Sequence, residues 1–445
     1  MAAKINSILF FLILSVGMSS YFLIKPKRIS IEEKRKLTTF PSFNWKSYVS
    51  GKWTDSMDRY LNDHFPNRLK MIEYATSVRY ARGIHLKNQE KIFVYQKRHS
   101  KSRMKENQSK DTVPKFMDDF EETYSNSMLI LNGSVYPLNS GSPKMGGPFA
   151  KMVNEYAERL KGKTRVFSAV SPLSSAFIPA EKYRHYNGKN RATLEAIRDN
   201  LSNGAIFCDV FNELNNHASE KLYFSTDHHW TARGAYYAYV AFCKAAGFTP
   251  VPKENMERRV KYNFLGTLYE RTRDKSVREH ADTFEYFVPN VTSTAIRFGQ
   301  YDYKGVKSNT FCHNCSGGNS YSTFVCGDNP LMKITTSNKN GRKAVVIKNS
   351  MGNAFSVYMI SHYEEVWVVD FRYSKHNLID LIEKNGIDDM IFAVGMYAAM
   401  SSGTIGMMRN LATQKGGPPP PALPASRRDS SAVLEQKKDV KDTIK

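Results

Sequence analysis

The sequence predicts an α/β fold in which a parallel sheet is flanked by helices, and three observations lead there. The clearest lies near the C-terminal end. Apolar strand patterns at 344–348, 365–370 and 390–394 are separated by single helical patterns at 353–362 and 377–384. One helix between successive strands is the mark of βαβ units, and right-handed crossovers place helices on both faces of the sheet. Upstream the alternation continues, with strand candidates at 91–95, 128–131, 165–170 and 205–210 and helix candidates at 149–160, 192–201 and 232–246. The third is composition: 445 residues, 41% of them hydrophobic, suffice for one large domain with extensions or two modest ones.

Taken from the start, Lys4 precedes an uncharged run at 5–24 (INSILFFLILSVGMSSYFLI), followed by Lys25, Pro26, Lys27 and Arg28. A helix of that length, rising about 1.5 Å per residue, just crosses a hydrocarbon core of about 30 Å. Residues 1–28 are therefore expected to be a signal anchor or a signal peptide. No clear small-x-small cleavage site follows, and positive flanks on both sides leave the orientation open. The large remainder after one span favours an exported domain. Residues 29–88 read as a helical preface: 25–36 is a basic linker, and 48–82 is mainly helix interrupted at Pro66. The main domain is expected over 89–410. Within it, 303–323 is polar and rich in Gly, Ser and Asn, and reads as a long surface loop. Residues 411–445 contain a proline run and mixed charges that cannot bury a core, so a disordered tail is expected.

Lys and Arg number 64 against 42 Asp and Glu, a formal charge of +22. Such a field attracts acidic glycans, wall polymers or anionic lipid, unless it is simply a solvated basic surface. No helix-turn-helix, zinc-finger or aromatic RNA-binding motif is visible, so nucleic acid is not an expected partner. The five cysteines are Cys208, Cys243, Cys312, Cys315 and Cys326. Cys312 and Cys315 with Cys326 could suggest zinc, but a second Cys-x-x-Cys or a His pair is missing. A loop disulfide or free thiols fit better, and neither metal nor cofactor is expected.

Two constellations carry chemistry. Thr226-Asp227-His228-His229-Trp230-Thr231 lies in a loop that opens onto a helix. Its acid and two imidazoles suit a metal site, an acid–base pair, or a helix cap beside two polar-loop histidines. The second is Lys348-Asn349-Ser350-Met351-Gly352-Asn353, between an apolar strand and a helix. A serine at the carboxyl end of a parallel strand lies where α/β folds place ligands, and the following helix offers unpaired N–H groups. A plain Ser/Asn turn capping a helix is the alternative. Together the two do better. Serine needs a base to take its proton, and the base needs a carboxylate to fix its tautomer. No Gly-x-Ser-x-Gly elbow competes.

The run TDHHWTARGAYYAY resembles the signature of the bacterial DHHW protein family, relatives of the SGNH-hydrolase-like alginate O-acetylation proteins with their Asp-x-His-Trp motif. The segments GDNPLMKITTSNKNGRKAVVIKNSMGNAF and HYEEVWVVDFRY are similar to the family's nucleophile block and the strand after it. The preface RKLTTFPSFNWKSYVSGKWTDSMDRYLNDHFPNR is similar too, so the resemblance covers about 30–405. It implies an SGNH-hydrolase-like fold and a triad of Ser350 as nucleophile, His229 as base then acid, and Asp227 as orienting carboxylate. Ordinary SGNH hydrolases carry the serine early, in Gly-Asp-Ser, with a late Asp-x-x-His; here the order is reversed. His228 stands where the alginate motif has a small polar residue.

The resemblance further implies an extracytoplasmic enzyme, anchored in the cell membrane, that O-acetylates a cell-surface or exported polysaccharide through acyl-Ser350. A membrane O-acyltransferase supplying acetyl groups is the implied partner. A glycan acetylesterase and a non-catalytic glycan-binding scaffold are the alternatives. A metal phosphoesterase would need an Asp-x-Asp pair, and none occurs. Oxyanion donors are expected at the Ser350 N–H and at Gly352 or Asn353. Arg372, just past a strand, is a candidate for binding an acidic sugar; a surface arginine is its alternative.

Overall fold

The computed structural model describes residues 28–30, 35–82, 90–94, 127–301 and 303–415, with four scattered positions between Ile8 and Ser15. The expected membrane segment at 5–24 and the tail from 416 lie largely or wholly outside these residues. Among the described residues no helix is long and apolar enough to cross a membrane.

A short hairpin of β1 (Ile29–Ser30) and β2 (Arg35–Lys36) comes first. Helices α1 (Trp45–Val49), α2 (Lys52–Asp63) and α3 (Arg68–Arg82) follow, broken around Pro66 as the sequence suggests. Helix α3 is tied to the main body by Glu73, which pairs with Arg273 and Arg278. Strands β3 (Glu90–Val94), β4 (Ser127–Leu131) and β5 (Ser134–Pro137) then make a separate antiparallel sheet of three.

The main body starts with α4 (Pro143–Arg159) and β6 (Arg165–Ser168), then α5 (Arg184–Asn200), β7 (Ile206–Phe207) and α6 (Val210–Asn216). Helix α7 (Ala232–Ala246) is capped by Thr231, whose side chain accepts from Gly234 N–H, and ends at Gly247 in the left-handed region. An antiparallel pair, β8 (Glu257–Phe264) and β9 (Asp282–Val288), brackets α8 (Thr267–Thr272) and α9 (Lys275–Glu279). Strands β10 (Ser293–Phe298), β11 (Val306–Ser308) and β12 (Leu331–Thr336) precede β13 (Lys343–Lys348), α10 (Met351–Ser356), β14 (Glu365–Asp370), α11 (Leu378–Asn385), β15 (Asp389–Ala393), α12 (Met396–Met400) and α13 (Ser402–Asn410).

The large sheet has eight strands in the order β11-β10-β12-β14-β13-β15-β6-β7. It is mixed, which corrects the expectation of a parallel sheet. Strands β14, β13, β15, β6 and β7 run parallel, whereas β12 joins β14 antiparallel and carries β10 and β11 antiparallel beyond it. The sequence hides this half because only Ala295 of β10 is buried, and β12 is broken by Lys333 and ends in two threonines. Neither presents the apolar run by which a buried strand is recognised.

Strand β13 is central, and its side chains alternate between two cores. Ala344 and Val346 join the cluster under α7, while Val345 and Ile347 join the one under α4, α5 and α11. The same alternation runs along β15. The expected helix at 353–362 is α10 followed by a 3-10 segment at Val357–Ser361. The expected loop at 303–323 contains β11 and a 3-10 turn at Gly317–Thr323. Leu411 is buried and its carbonyl accepts from Leu378 N–H (2.8 Å), so the packed body runs past 410.

Candidate active site

The Asp227 side of the site is a tight loop closed by short-range bonds. Tyr223 pairs with Trp230, and Thr231 N–H donates to Leu222 O (2.8 Å), folding 223–230 back on itself. Asp282 of β9 then grips the loop, accepting from Ser225 N–H, Thr226 N–H and the Thr226 hydroxyl at 3.0, 2.8 and 2.7 Å. That leaves Asp227 facing inward, where four donors converge on its carboxylate. His229 gives its N–H (3.0 Å) and Nδ1–H (2.5 Å) to Oδ1, and Thr267 gives its N–H (2.8 Å) and hydroxyl (3.1 Å) to Oδ2. Gly266 is obligatory here, because a Cβ would lie 2.2 Å from Asp227 Cβ.

Burial by itself would raise the Asp227 pKa. The His229 and His228 imidazoles and these hydrogen bonds overcome it and hold the carboxyl well below the usual range. An ionised carboxylate only accepts, so His229 carries its proton on Nδ1 and presents Nε2 as a base. Nε2 is buried and has no hydrogen-bond partner among the described residues. The ring is held flat against Tyr321, with centroids 3.7 Å apart and planes 9° apart. The donor atoms of Asp227, His228 and His229 lie within 4.8 Å of one another, close enough for a metal ion. Yet Asp227 Oδ1 is spent on His229 Nδ1 and Oδ2 on Thr267, while His228 Nδ1 meets the Thr267 hydroxyl at 2.6 Å. These commitments favour the acid–base pair that the sequence left open.

Ser350 ends the other wall, in the turn from β13 into α10, and is 8% exposed. It lines a cleft with Asn349, His228, Ser171, Tyr223 and Tyr397. The two walls are joined by the Trp230 indole, which donates to Met351 O (2.9 Å), and by the Tyr321 hydroxyl on the same carbonyl (3.3 Å). No hydrogen bond joins Ser350 to His229. His228, not His229, shares the cleft with the serine.

Gly352 serves packing, since a Cβ would meet Ala393 O at 2.5 Å and Lys348 Cβ at 2.4 Å. Its N–H is taken by Asn349 O (3.0 Å), and Asn353 N–H by Ser350 O (3.1 Å). The Asn353 side-chain amide donates to Asp328 (3.0 Å). Both backbone amides are thus engaged within the turn itself. The earlier amides of the turn, Ser350 and Met351, are the ones helix geometry leaves for a ligand.

Arg372 lines the cleft but is no surface arginine, and it is not a free charge for an acidic sugar. It is nearly buried and paired with Asp370 (2.6 Å) and Asp328 (3.1 Å). Lys348 completes the cluster, 2.7 Å from Asp370 and 3.1 Å from Asp328. Burial pushes the Asp370 carboxyl up to about 7 against the pull of Lys348, and brings Arg372 down to about 10. For Lys348, burial is outweighed by the two aspartates, and its pKa is raised.

Residues 107–369, more than half of the chain, match the DHHW protein family. The chain belongs to the DHHW family. A DHHW family protein from Eubacterium siraeum is 31% identical and aligns over 63% of this chain and 94% of its own, with a TM-score of 0.58. Bacillus cereus PatB1, solved with a sulfonyl adduct, is 15% identical over 64% of this chain and 98% of its own, with a TM-score of 0.51. The O-acetyltransferase domain of Pseudomonas putida AlgJ is more remote, at 10% identity over 63% of this chain and 96% of its own and a TM-score of 0.32. No curated protein matches the chain.

Sequence reasoning about this DHHW protein missed Thr267, Tyr321 and Asp328. A lysine closing an apolar strand was the available signal for the last, because a buried ammonium requires an anion. Cys312 and Cys326 form a disulfide that closes the loop carrying Tyr321, Cys315 is free, and Cys208 and Cys243 are buried thiols.

Proposed function

We propose that this DHHW protein is a serine acyl-transfer enzyme that O-acetylates a cell-surface or exported polysaccharide. The observation that carries the proposal is the Asp227–His229 dyad, its Nε2 unpartnered, on a loop pinned by Trp230 to the turn bearing Ser350. Ser350 Oγ attacks the acetyl carbonyl while its proton passes to His229 Nε2. Asp227 stabilises the imidazolium, and the Ser350 and Met351 N–H groups face the oxyanion. The imidazolium then protonates the leaving group, giving acetyl-Ser350. A sugar hydroxyl, deprotonated by the same nitrogen, takes the acetyl group and restores the serine. Closing the Ser350–His229 hydrogen bond is a step that substrate binding must complete, as in many ligand-free acid–base sites.

The substrate class comes from the resemblance to alginate O-acetylation proteins, and the charge of +22 suits an acidic glycan. In this reading the apolar run at 5–24 anchors the chain in the cell membrane, the domain works outside the cytoplasm, and a membrane O-acyltransferase is the source of acetyl groups. Intact-mass measurement after incubation with p-nitrophenyl acetate or a sulfonyl fluoride tests the core of it. A single adduct mapping to Ser350, absent in Ser350→Ala, is expected. Transfer of acetyl to an added glycan marks a transferase, and release as acetate alone an esterase. A chain that retains acidic glycans on a column yet never forms the adduct is a scaffold.

A further inference from the structure

Ser171 lies just beyond β6, at the carboxyl edge of the parallel half of the sheet. It is bridged in parallel to Gly395: its N–H donates to Val394 O (2.9 Å), and its carbonyl accepts from Met396 N–H (3.0 Å). The ladder thus holds its backbone rigidly. Its side chain is another matter. Ser171 is 1% exposed, its hydroxyl has no hydrogen-bond partner among the described residues, and it lines the cleft that Ser350 lines.

A buried hydroxyl left unpaired costs stability, and most buried polar side-chain atoms in native proteins are paired. Alanine at this position would keep the backbone bonds and remove that cost. A serine held there at a cost, in the wall of an open cleft, is explained if its partner arrives with a ligand. The sheet order fixes where that ligand sits. Strand β15 separates β6 from β13, so Ser171 and Ser350 stand at strand ends two ladder spacings apart, about 10 Å between backbones. Both residues line the cleft, so an acyl group bound between the two strand ends lies next to each of them. Gly395, at the end of β15, donates its N–H to Asn349 Oδ1 (3.2 Å), which fixes the floor between them.

We propose that the Ser171 hydroxyl is a catalytic residue of the acyl transfer, donating a hydrogen bond to the acyl carbonyl oxygen as negative charge develops on it. The proposal rests on the acyl-Ser350 reading and adds a side-chain donor to the backbone amides of the Ser350 turn. Its ligand is the acyl group of an acetyl ester, in both acylation and deacylation.

The test uses the full-length chain, comparing wild type with Ser171→Ala and Ser171→Thr. Acetyl-enzyme formation from p-nitrophenyl acetate is followed by rapid-quench mass measurement, and thermal unfolding is recorded alongside. Ser171→Ala is expected to acylate about 10²-fold more slowly, the usual cost of one oxyanion donor, with an unchanged or higher Tm. Ser171→Thr, which keeps the hydroxyl, should recover part of the rate. Equal acylation rates in wild type and Ser171→Ala overturn the proposal and leave the acyl-Ser350 reading standing. A fall in both rate and Tm in Ser171→Ala makes the residue structural and also overturns it. A wild type that never acylates removes the acyl-Ser350 reading and this one with it.

Discussion

The wall of the cleft that carries Asp227 and His229 is a loop, and the wall that carries Ser350 is the end of a central strand. The loop is held by hydrogen bonds converging on two buried carboxylates, Asp227 and Asp282. The strand end stands over Lys348, Asp370, Arg372 and Asp328, which neutralise one another. Each wall thus has a buried aspartate, and the two are driven in opposite directions. Asp227 is surrounded by donors and stays ionised, whereas burial lifts Asp370 to about 7. The difference teaches that one wall keeps a carboxylate charged to fix an imidazole, and the other balances buried charges beneath a strand end.

The largest expected effect breaks the first wall. His229→Gln should slow acyl-Ser350 formation by 10³-fold or more, on the order of losing a triad member, while His228→Gln costs less than about tenfold. Stopped-flow acylation rates decide this, and equal losses would mean that both imidazoles hold one ion. On the second wall the damage should fall on folding. Lys348→Met leaves Asp370 buried against Arg372 alone and should cost about 3–5 kcal/mol in urea unfolding. Adding Asp370→Leu should return much of that loss; if the double variant is no more stable than the single, the charges are not coupled.

The pH dependence of stability should separate the two carboxylates. Asp227, depressed in the folded state, contributes stability above its unfolded pKa near 3.8 that is lost as pH falls through that value and below. Asp370, raised to about 7, binds its proton more tightly folded than unfolded, so its contribution declines as pH climbs from about 4 to about 7. Between those limits Asp370→Asn should lose less stability with rising pH than wild type, as read from unfolding midpoints; parallel curves would refute the assignment. The smallest effect is expected where the walls meet. Tyr321→Phe keeps the stack on His229 and removes the 3.3 Å bond to Met351 O, costing about 1 kcal/mol. A loss of several kcal/mol in its chemical unfolding would show the hydroxyl to be a main tie.

Much of this was legible in the sequence where neighbours in the chain are neighbours in space. The apolar run 344–348 announced β13, and the helical pattern at 232–246 matches α7. Asp227 and His229 are two residues apart, so their pairing could be read from the motif. Thr267 reaches Asp227 across 40 residues and Asp328 reaches Lys348 across 20, with no pattern linking them. The exposed strand β10 fails the apolar test for another reason: one face meets solvent, and its pairing with β12 depends on residues far along the chain.

The bond from the Trp230 indole to Met351 O spans 121 residues. Contacts of such separation close late in folding, because a long loop must be ordered before they return anything. A chain growing from the ribosome completes the dyad's loop long before the serine's turn exists. The nascent chain therefore carries the Asp227–His229 pair before Ser350 can lie near it, and the serine comes into register only when the fold is complete. Under the proposed acyl-Ser350 chemistry, reactivity should thus appear and vanish with the cooperative transition itself, making a Ser350 adduct a reporter of the finished chain.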